Sequence, residues 1–325
     1  MRKKISILLI IITVFTIFSG CSSNSTTSSS NKVKVLLSIS DGSDDYRKLM
    51  IDNAKSYAES QNIKLTVMDA ADSVEAQVSH MKEAASDRYN VIICAPVDPN
   101  TSLELERASK GIPIVFINTM PDDSVLERNK YIYVASNEKV AGKYQAEYIS
   151  NYFKDKNDIK IVLFEGEKGP TARERTEAIK DTLRERGIKA EYVFEDHADW
   201  SREKAKEMFN IFLSTGKKFD CVLANNDSMA LGVIESLKEN KINNQAIPVL
   251  GIDALSDALN AIKDGSMKLT VYQSAKGQSI SAVKAAVKLG SGDTLSGLQN
   301  LTSDGKYIWV PFEKVDKNNV DKYMN

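Results

Sequence analysis

Cysteine and histidine are both scarce in this chain of 325 residues, which has three of the first and two of the second. The histidines, His80 and His197, stand far from each other and from the cysteines, without the spacing that gathers metal ligands. His80 falls on a helical pattern and reads as a surface residue. Cys94 and Cys221 lie inside apolar runs, VIICAP and FDCVLA, where a free thiol behaves as a small buried hydrophobe; no disulfide is expected. No GxSxG elbow and no Walker loop occurs, and GEKG at Gly166 to Gly169 lacks the GK[ST] that would make it a phosphate cradle. A formal net charge of -1 leaves no basic footprint for nucleic acid. These absences argue against a metalloenzyme, a nucleophilic hydrolase, an NTPase and a nucleic-acid binder. What remains, at 42% hydrophobic and 27% charged residues, is globular and long enough for two lobes.

The amino terminus has its own pattern. Met1 to Lys4 is basic and Ile5 to Phe18 is predominantly apolar. That run falls short of the about 20 residues of a spanning helix and reads as a secretory signal. Ser19-Gly20-Cys21 follows and resembles the lipobox of bacterial lipoproteins, with Phe18 where that box more often has leucine. The resemblance implies cleavage after residue 20 and a diacylglyceryl group on the Cys21 thiol. The alternative is an ordinary secretory signal with an incidental cysteine; a polar leash from Ser22 to Asn31 favours the lipoprotein. Acyl chains contribute about 0.8 kcal/mol per buried CH₂, so a multiply acylated Cys21 holds a protein at a membrane surface.

From Lys32 short apolar runs alternate with amphipathic helical patterns. KVKVLLSIS, IKLTVMDA, NVIICAP and GIPIVFIN read as strands, separated by helices over 44–60, through Val74, Val78 and Met81, and over 101–110. After a polar loop at Pro121 and Asp122, YIYVA begins a second series. Its helices span 138–153, 172–186 and 202–213, and its strands are IKIVLFEG and AEYVFED. Strand-helix-strand repeats of this kind predict parallel sheets with helices on both faces, here two doubly wound lobes with a cleft between them. MKLTVYQS, a helix over 277–289 and a late strand KYIWVPFEKV complete the chain.

The stretch from Phe219 to Leu255 organises the reading. CVLA ends in Asn226 and IPVLGI in Asp253, with a helix between that carries Met229, Val233, Ile234 and Leu237 on one face. Ligands of open parallel sheets sit outside the carboxyl ends of the strands, so these two polar residues face that crevice. The same position holds Asp44 and Tyr46 after the first strand, Asn118 after GIPIVFIN, Arg175 after IKIVLFEG, Trp200 after AEYVFED, and Gln273. A sugar offers hydroxyls that donate and accept, and two faces of C–H groups. Carboxylates accept from hydroxyls, arginine donates in a planar fork, Asn and Gln do both, and aromatic rings cover the apolar faces. Each residue also has a plainer reading. Asp44 and Asn226 suit helix N-caps, Arg175 lies in a charged helical run, and Trp200 suits a core. Their joint placement at strand ends is what points to a ligand.

These residues resemble the galactose/glucose-binding proteins of ABC sugar transporters, in the ribose-binding, lac-repressor-like superfamily. The similarity runs from Lys34 to the C-terminus. VLANNDSMALG, VLGIDAL, VDP at Val97 to Pro99, GIPIVFIN, GEKG with Arg175-Thr176, and ADW at Ala198 to Trp200 carry it. It implies a type 1 periplasmic binding protein fold, α/β, whose lobes are joined by three hinge strands and close on one sugar. The first lobe is then 32–135 with 273–299, and the second 136–272 with 300–325, so the Gln273 helix returns to the first lobe and the Trp309 strand to the second. The resemblance also implies hydrogen bonding by Asp44, Asn118, Arg175, Asn226 and Asp253. Tyr46 would stack where the family has phenylalanine, Trp200 would be the opposite ring, and Gln273 stands where the family has asparagine. Ser40 replaces a gate-side tyrosine, and the loop between Gly169 and Arg175 is one residue shorter and lacks the family's histidine, with Thr171 near its aspartate. The segment Lys154 to Ile159 lacks the family's calcium-loop residues, so no metal is expected, and no cofactor.

The function expected is a lipid-anchored, monomeric solute-binding protein that delivers a monosaccharide, galactose or glucose, to ABC permease subunits. The alternative is a sensor that presents a sugar to a chemoreceptor or histidine kinase. A repressor is disfavoured because no helix-turn-helix precedes Lys32, and an enzyme because no catalytic constellation is present.

Overall fold

The computed structural model describes residues 33–156, 158–243 and 245–324. The signal-like segment, Cys21 and the tether lie outside the described residues. Strand β1 (Lys34–Ile39) opens a run in which helices and strands alternate: α1 (Asp45–Ser60), β2 (Lys64–Asp69), α2 (Val74–Ser86), β3 (Val91–Cys94), α3 (Ser102–Ala108), β4 (Ile114–Ile117) and β5 (Tyr131–Ala135). The second run is α4 (Glu138–Tyr152), β6 (Asp158–Glu165), α5 (Pro170–Glu185), β7 (Lys189–His197), α6 (Arg202–Ser214), β8 (Cys221–Ala224), α7 (Asp227–Glu239), β9 (Val249–Leu250), α8 (Ser256–Asp264) and β10 (Thr270–Tyr272). Helix α9 (Ala275–Gly290) and strands β11 (Tyr307–Trp309) and β12 (Glu313–Val315) close the chain.

Two parallel sheets result, in the orders β11-β5-β4-β3-β1-β2 and β7-β6-β8-β9. Strand β10 continues the second through bridges Leu250–Leu269 and Asp253–Tyr272, and pairs antiparallel with β12. Neighbouring residues of each central strand feed opposite cores. Val35, Leu37, Val91 and Ile93 pack under α1 and α9, while Leu36, Ile92 and Cys94 pack under α2 and α3. Val162 and Phe164 face α6 and α7, and Ile161 and Leu163 face α4 and α5. A sheet covered on both faces has no polar side, which is why these strands read as unbroken apolar runs. Cys94 and Cys221 are buried, unpaired members of β3 and β8.

The chain passes between the sheets after β5, after β10 and between β11 and β12. One expectation about these passages needs correction here, that for the Trp309 strand. YIYVA opens the second series in chain order, but as β5 it pairs with β4 and lies in the first sheet, within the 32–135 bounds of the first lobe. The Trp309 strand does not lie in the second lobe, because β11 pairs parallel with β5, Trp309 opposite Ala135. The run KYIWVPFEKV is two strands, because Pro311 has no N–H to give a ladder and breaks it. Leu298 and Leu301 pack with the first core as well, so the portion up to Trp309 belongs with the first sheet. Helix α8, with Leu259 and Ile262 buried, had no expectation attached to it.

Candidate functional site

The strands of both sheets end on polar residues because the following helix needs a cap and the loop needs unusual backbone angles. Asp44 caps α1, its Oδ1 accepting from the Arg47 amide at 2.8 Å, and its other oxygen is left over. Asn118 sits at φ 60, in the left-handed region that Asn tolerates. Its carbonyl accepts from the Tyr133 hydroxyl at 3.0 Å and its Oδ1 from Arg47 Nε at 3.2 Å, which turns the amide nitrogen outward. Asn226 caps α7 through the Met229 amide at 3.0 Å and donates from Nδ2 to the Trp200 carbonyl at 3.2 Å. Capping and lining a cleft are therefore compatible roles for Asp44 and Asn226.

Trp200 follows β7 at φ 63. Its ring lies where only a glycine can stand beneath it: a Cβ on Gly166 would come within 2.1 Å of the indole. The GEKG stretch is thus the floor of an aromatic shelf. Arg175, in α5, is buried and donates from Nε to Glu138 Oε2 at 2.6 Å, from Nη1 to the Asn225 carbonyl at 2.5 Å, and from Nη2 to Gln273 Oε1 at 3.1 Å. The guanidinium carbon is 5.6 Å from the Trp200 ring centroid. Burial acts to lower the Arg175 pKa, but Glu138 and Asp253 outweigh it and hold the group charged.

Asp253 follows β9 at φ 121, with Ala254 at φ 58. The turn is held by Asp227, which accepts from Thr270 Oγ1 at 2.7 Å and the Leu255 amide at 2.9 Å. Burial pushes Asp227 up to about 7 against those hydrogen bonds. Asp253 is only 8% exposed, and among the described residues no group donates to its carboxylate. Burial raises its pKa well above the usual carboxylate range; Arg175 opposes this and Asp227 adds to it. The Tyr46 hydroxyl is likewise buried and unpartnered, and burial with the nearby Asp253 raises it too.

All eight strand-end residues line one cavity: Asp44, Tyr46, Asn118, Arg175, Trp200, Asn226, Asp253 and Gln273. Its volume is about 100 Å³, against roughly 10–15 Å³ needed to hold one water, so it suits one small solute. Thr171, beside the shortened loop, lines it as well. Several contributors escaped the sequence. Arg47, Asp72 and Glu167 also face the cavity, and Glu138 stands behind Arg175. Arg47 lies three residues beyond the cap Asp44, a spacing that returns a side chain to the same helix end, and that was its available signal.

The histidines stand apart from this cavity. His80 is half-buried rather than a surface residue, its Nδ1 hydrogen-bonded to Ser38 Oγ at 3.0 Å, because β1 runs directly beneath α2. His197 Nδ1 meets the Gly166 carbonyl at 2.5 Å. Among the described residues no cluster of three or more His, Cys, Asp or Glu is placed to hold a metal. The arrangement offers acceptors, donors and ring faces to a neutral, hydroxyl-rich molecule.

Comparison with known proteins agrees with this geometry. Residues 35–294 match the family described as periplasmic binding protein domain. A putative rhizopine-binding protein of Rhizobium meliloti is 32% identical over 286 residues, 86% of this chain and 89% of the relative. The D-galactose/methyl-galactoside binding periplasmic protein MglB of Haemophilus influenzae is 28% identical over 276 residues, 81% of this chain and 82% of its own. An ABC transporter solute binding protein from Bacillus halodurans, solved with bound myo-inositol, superposes with a TM-score of 0.80 at 29% identity, covering 90% of this chain and 98% of that one. The chain therefore belongs to the periplasmic binding protein family, in its type 1, ribose-binding-like branch, and is a solute-binding protein rather than an enzyme.

Proposed function

We propose that this protein captures one monosaccharide-sized polyol outside the cytoplasm and hands it to the permease of an ABC importer. One observation carries the reading: eight polar and aromatic residues from strand ends of both sheets line a single cavity of about 100 Å³. Asp44 and Asp253 accept from ligand hydroxyls, Arg175 donates, and Asn118, Asn226 and Gln273 do both. The Tyr46 and Trp200 rings cover the two C–H faces. The ligand binds the closed arrangement of the lobes better than the open one and so shifts the population toward closure by hinge motion.

D-galactose or D-glucose is the ligand favoured first, supported by the galactose-binding relative at 28% identity. Myo-inositol is the second reading. It is supported by the 29% identical structure that holds it and by the altered end of the cavity near Thr171. The working form is a monomer acylated at Cys21 and tethered to the membrane by Ser22 to Asn31. A thermal-shift panel of D-galactose, D-glucose, D-ribose, D-allose and myo-inositol tests the proposal. At least one should raise the melting temperature with micromolar affinity in calorimetry; a flat response across the panel refutes it.

A further inference from the structure

Glu138 is the first residue of α4, just past the chain's first passage between the sheets. Its side chain is 1% exposed, within the range of the buried core. A carboxylate taken from water is unfavourable unless paired. Among the described residues this one has a single hydrogen-bond partner, Arg175 Nε at 2.6 Å, and its Oε1 is buried without one. Most buried side-chain polar atoms have a partner, and an exception calls for an explanation; this carboxylate is committed to one guanidinium.

The guanidinium is planar and carries five N–H donors in a fixed fork. Three bonds are accounted for, to Glu138, the Asn225 carbonyl and Gln273. One N–H on each terminal nitrogen is left, on a residue that lines the cavity. The bond at Nε sets the plane of the fork, and with it the direction of the two remaining N–H groups. Gln273 lies just past the chain's second passage between the sheets. Arg175 is thereby tied to residues adjoining two of the passages on which the lobes turn. The same fork lies over the Trp200 ring, so a rotation of one is felt by the other.

We propose that Glu138 is a positioning residue of the sugar site, orienting the Arg175 fork so that its two free N–H groups meet adjacent oxygens of the ligand. This rests on the proposed sugar-binding function; the role itself is exerted through Arg175 and not by contact with ligand.

The test uses the full chain with Trp309→Phe, which leaves Trp200 as the reporting indole of the two tryptophans. In this background Glu138→Gln keeps the shape and removes the charge. Its affinity for D-galactose, D-glucose or myo-inositol, whichever the parent binds, should fall about tenfold, since a charge-assisted bond is roughly twice as strong as a neutral one. Its ligand-free Trp200 emission should shift, and the same substitution in an Arg175→Met background should leave the emission unchanged. Affinity within twofold of the parent overturns the proposal, as does an emission shift that persists without Arg175. If Glu138→Gln does not melt cooperatively, Glu138→Asp is read by the same criteria. If the parent binds none of the probes, the sugar reading fails, while the ligand-free emission comparison still decides the role of Glu138.

Discussion

Removing the Asp253 carboxylate should weaken ligand binding and stabilise the empty protein, two effects of opposite sign from one group. The residue is 8% exposed and lines the cavity, and among the described residues its carboxylate receives no hydrogen bond. In the proposed complex it accepts from a ligand hydroxyl, a bond to a charged group worth roughly 1.5–3 kcal/mol. Asp253→Ala should therefore raise Kd by about 10- to 150-fold. The stability effect follows from the raised pKa, whose first cause is burial and whose second, opposing one is Arg175. A carboxyl raised in the folded state contributes stability that is fully present below its unfolded value near 3.9, and that is lost as pH rises through the folded value. Wild type should thus lose stability from this group with rising pH, and Asp253→Asn should not. Calorimetry at pH 7 and melting curves at pH 4.5 and 8 read both effects. The variant should melt above wild type at pH 8, with the difference shrinking toward pH 4.5. A Kd within threefold of wild type, or a variant less stable than wild type at pH 8, refutes the reasoning.

Gly166→Ala places a Cβ about 2.1 Å from the Trp200 ring. It should displace the indole, cost about 1–3 kcal/mol as overpacking does, and weaken sugar binding together with a change in Trp200 fluorescence; an unaltered spectrum counts against the shelf. Cys21→Ser should move the protein from the membrane fraction to the soluble extracytoplasmic fraction, measured by fractionation and blotting. Retention on membranes would mean that the apolar segment itself is the anchor.

The fold was legible because its signal is redundant. Val35 to Ile39, Val91 to Cys94 and Ile161 to Phe164 are buried on both faces, so every residue of the run reports the same environment. Most of the cavity was legible because strand ends of a parallel sheet converge on one crevice, and Asp44, Asn226 and Asp253 end their strands abruptly. What escaped depends on contacts remote in sequence. Glu138 meets Arg175, 37 positions away, and nothing near Glu138 distinguishes it from a solvated acid in a first helical turn. Arg47 has only its spacing from Asp44 as a local signal, and its place in the site rests on Asn118, 71 positions away, accepting from its Nε. The Trp309 strand was misplaced because its lobe was taken from the resemblance, and the pairing of β11 with β5 is a contact remote in sequence that no local pattern reports.

The order in which the strands are made has a consequence for biogenesis. The first sheet is complete only when β11 docks beside β5, and β11 lies 172 positions beyond it, at 307–309 against 131–135, after the whole second sheet. Until then the β5 edge is bare, an open template for stray pairing, and closing it requires a contact of long sequence separation, which is slow. A nascent or C-terminally clipped chain is thus more aggregation-prone than either half's composition suggests. Neither lobe is an autonomous cassette that can be excised by a single cut.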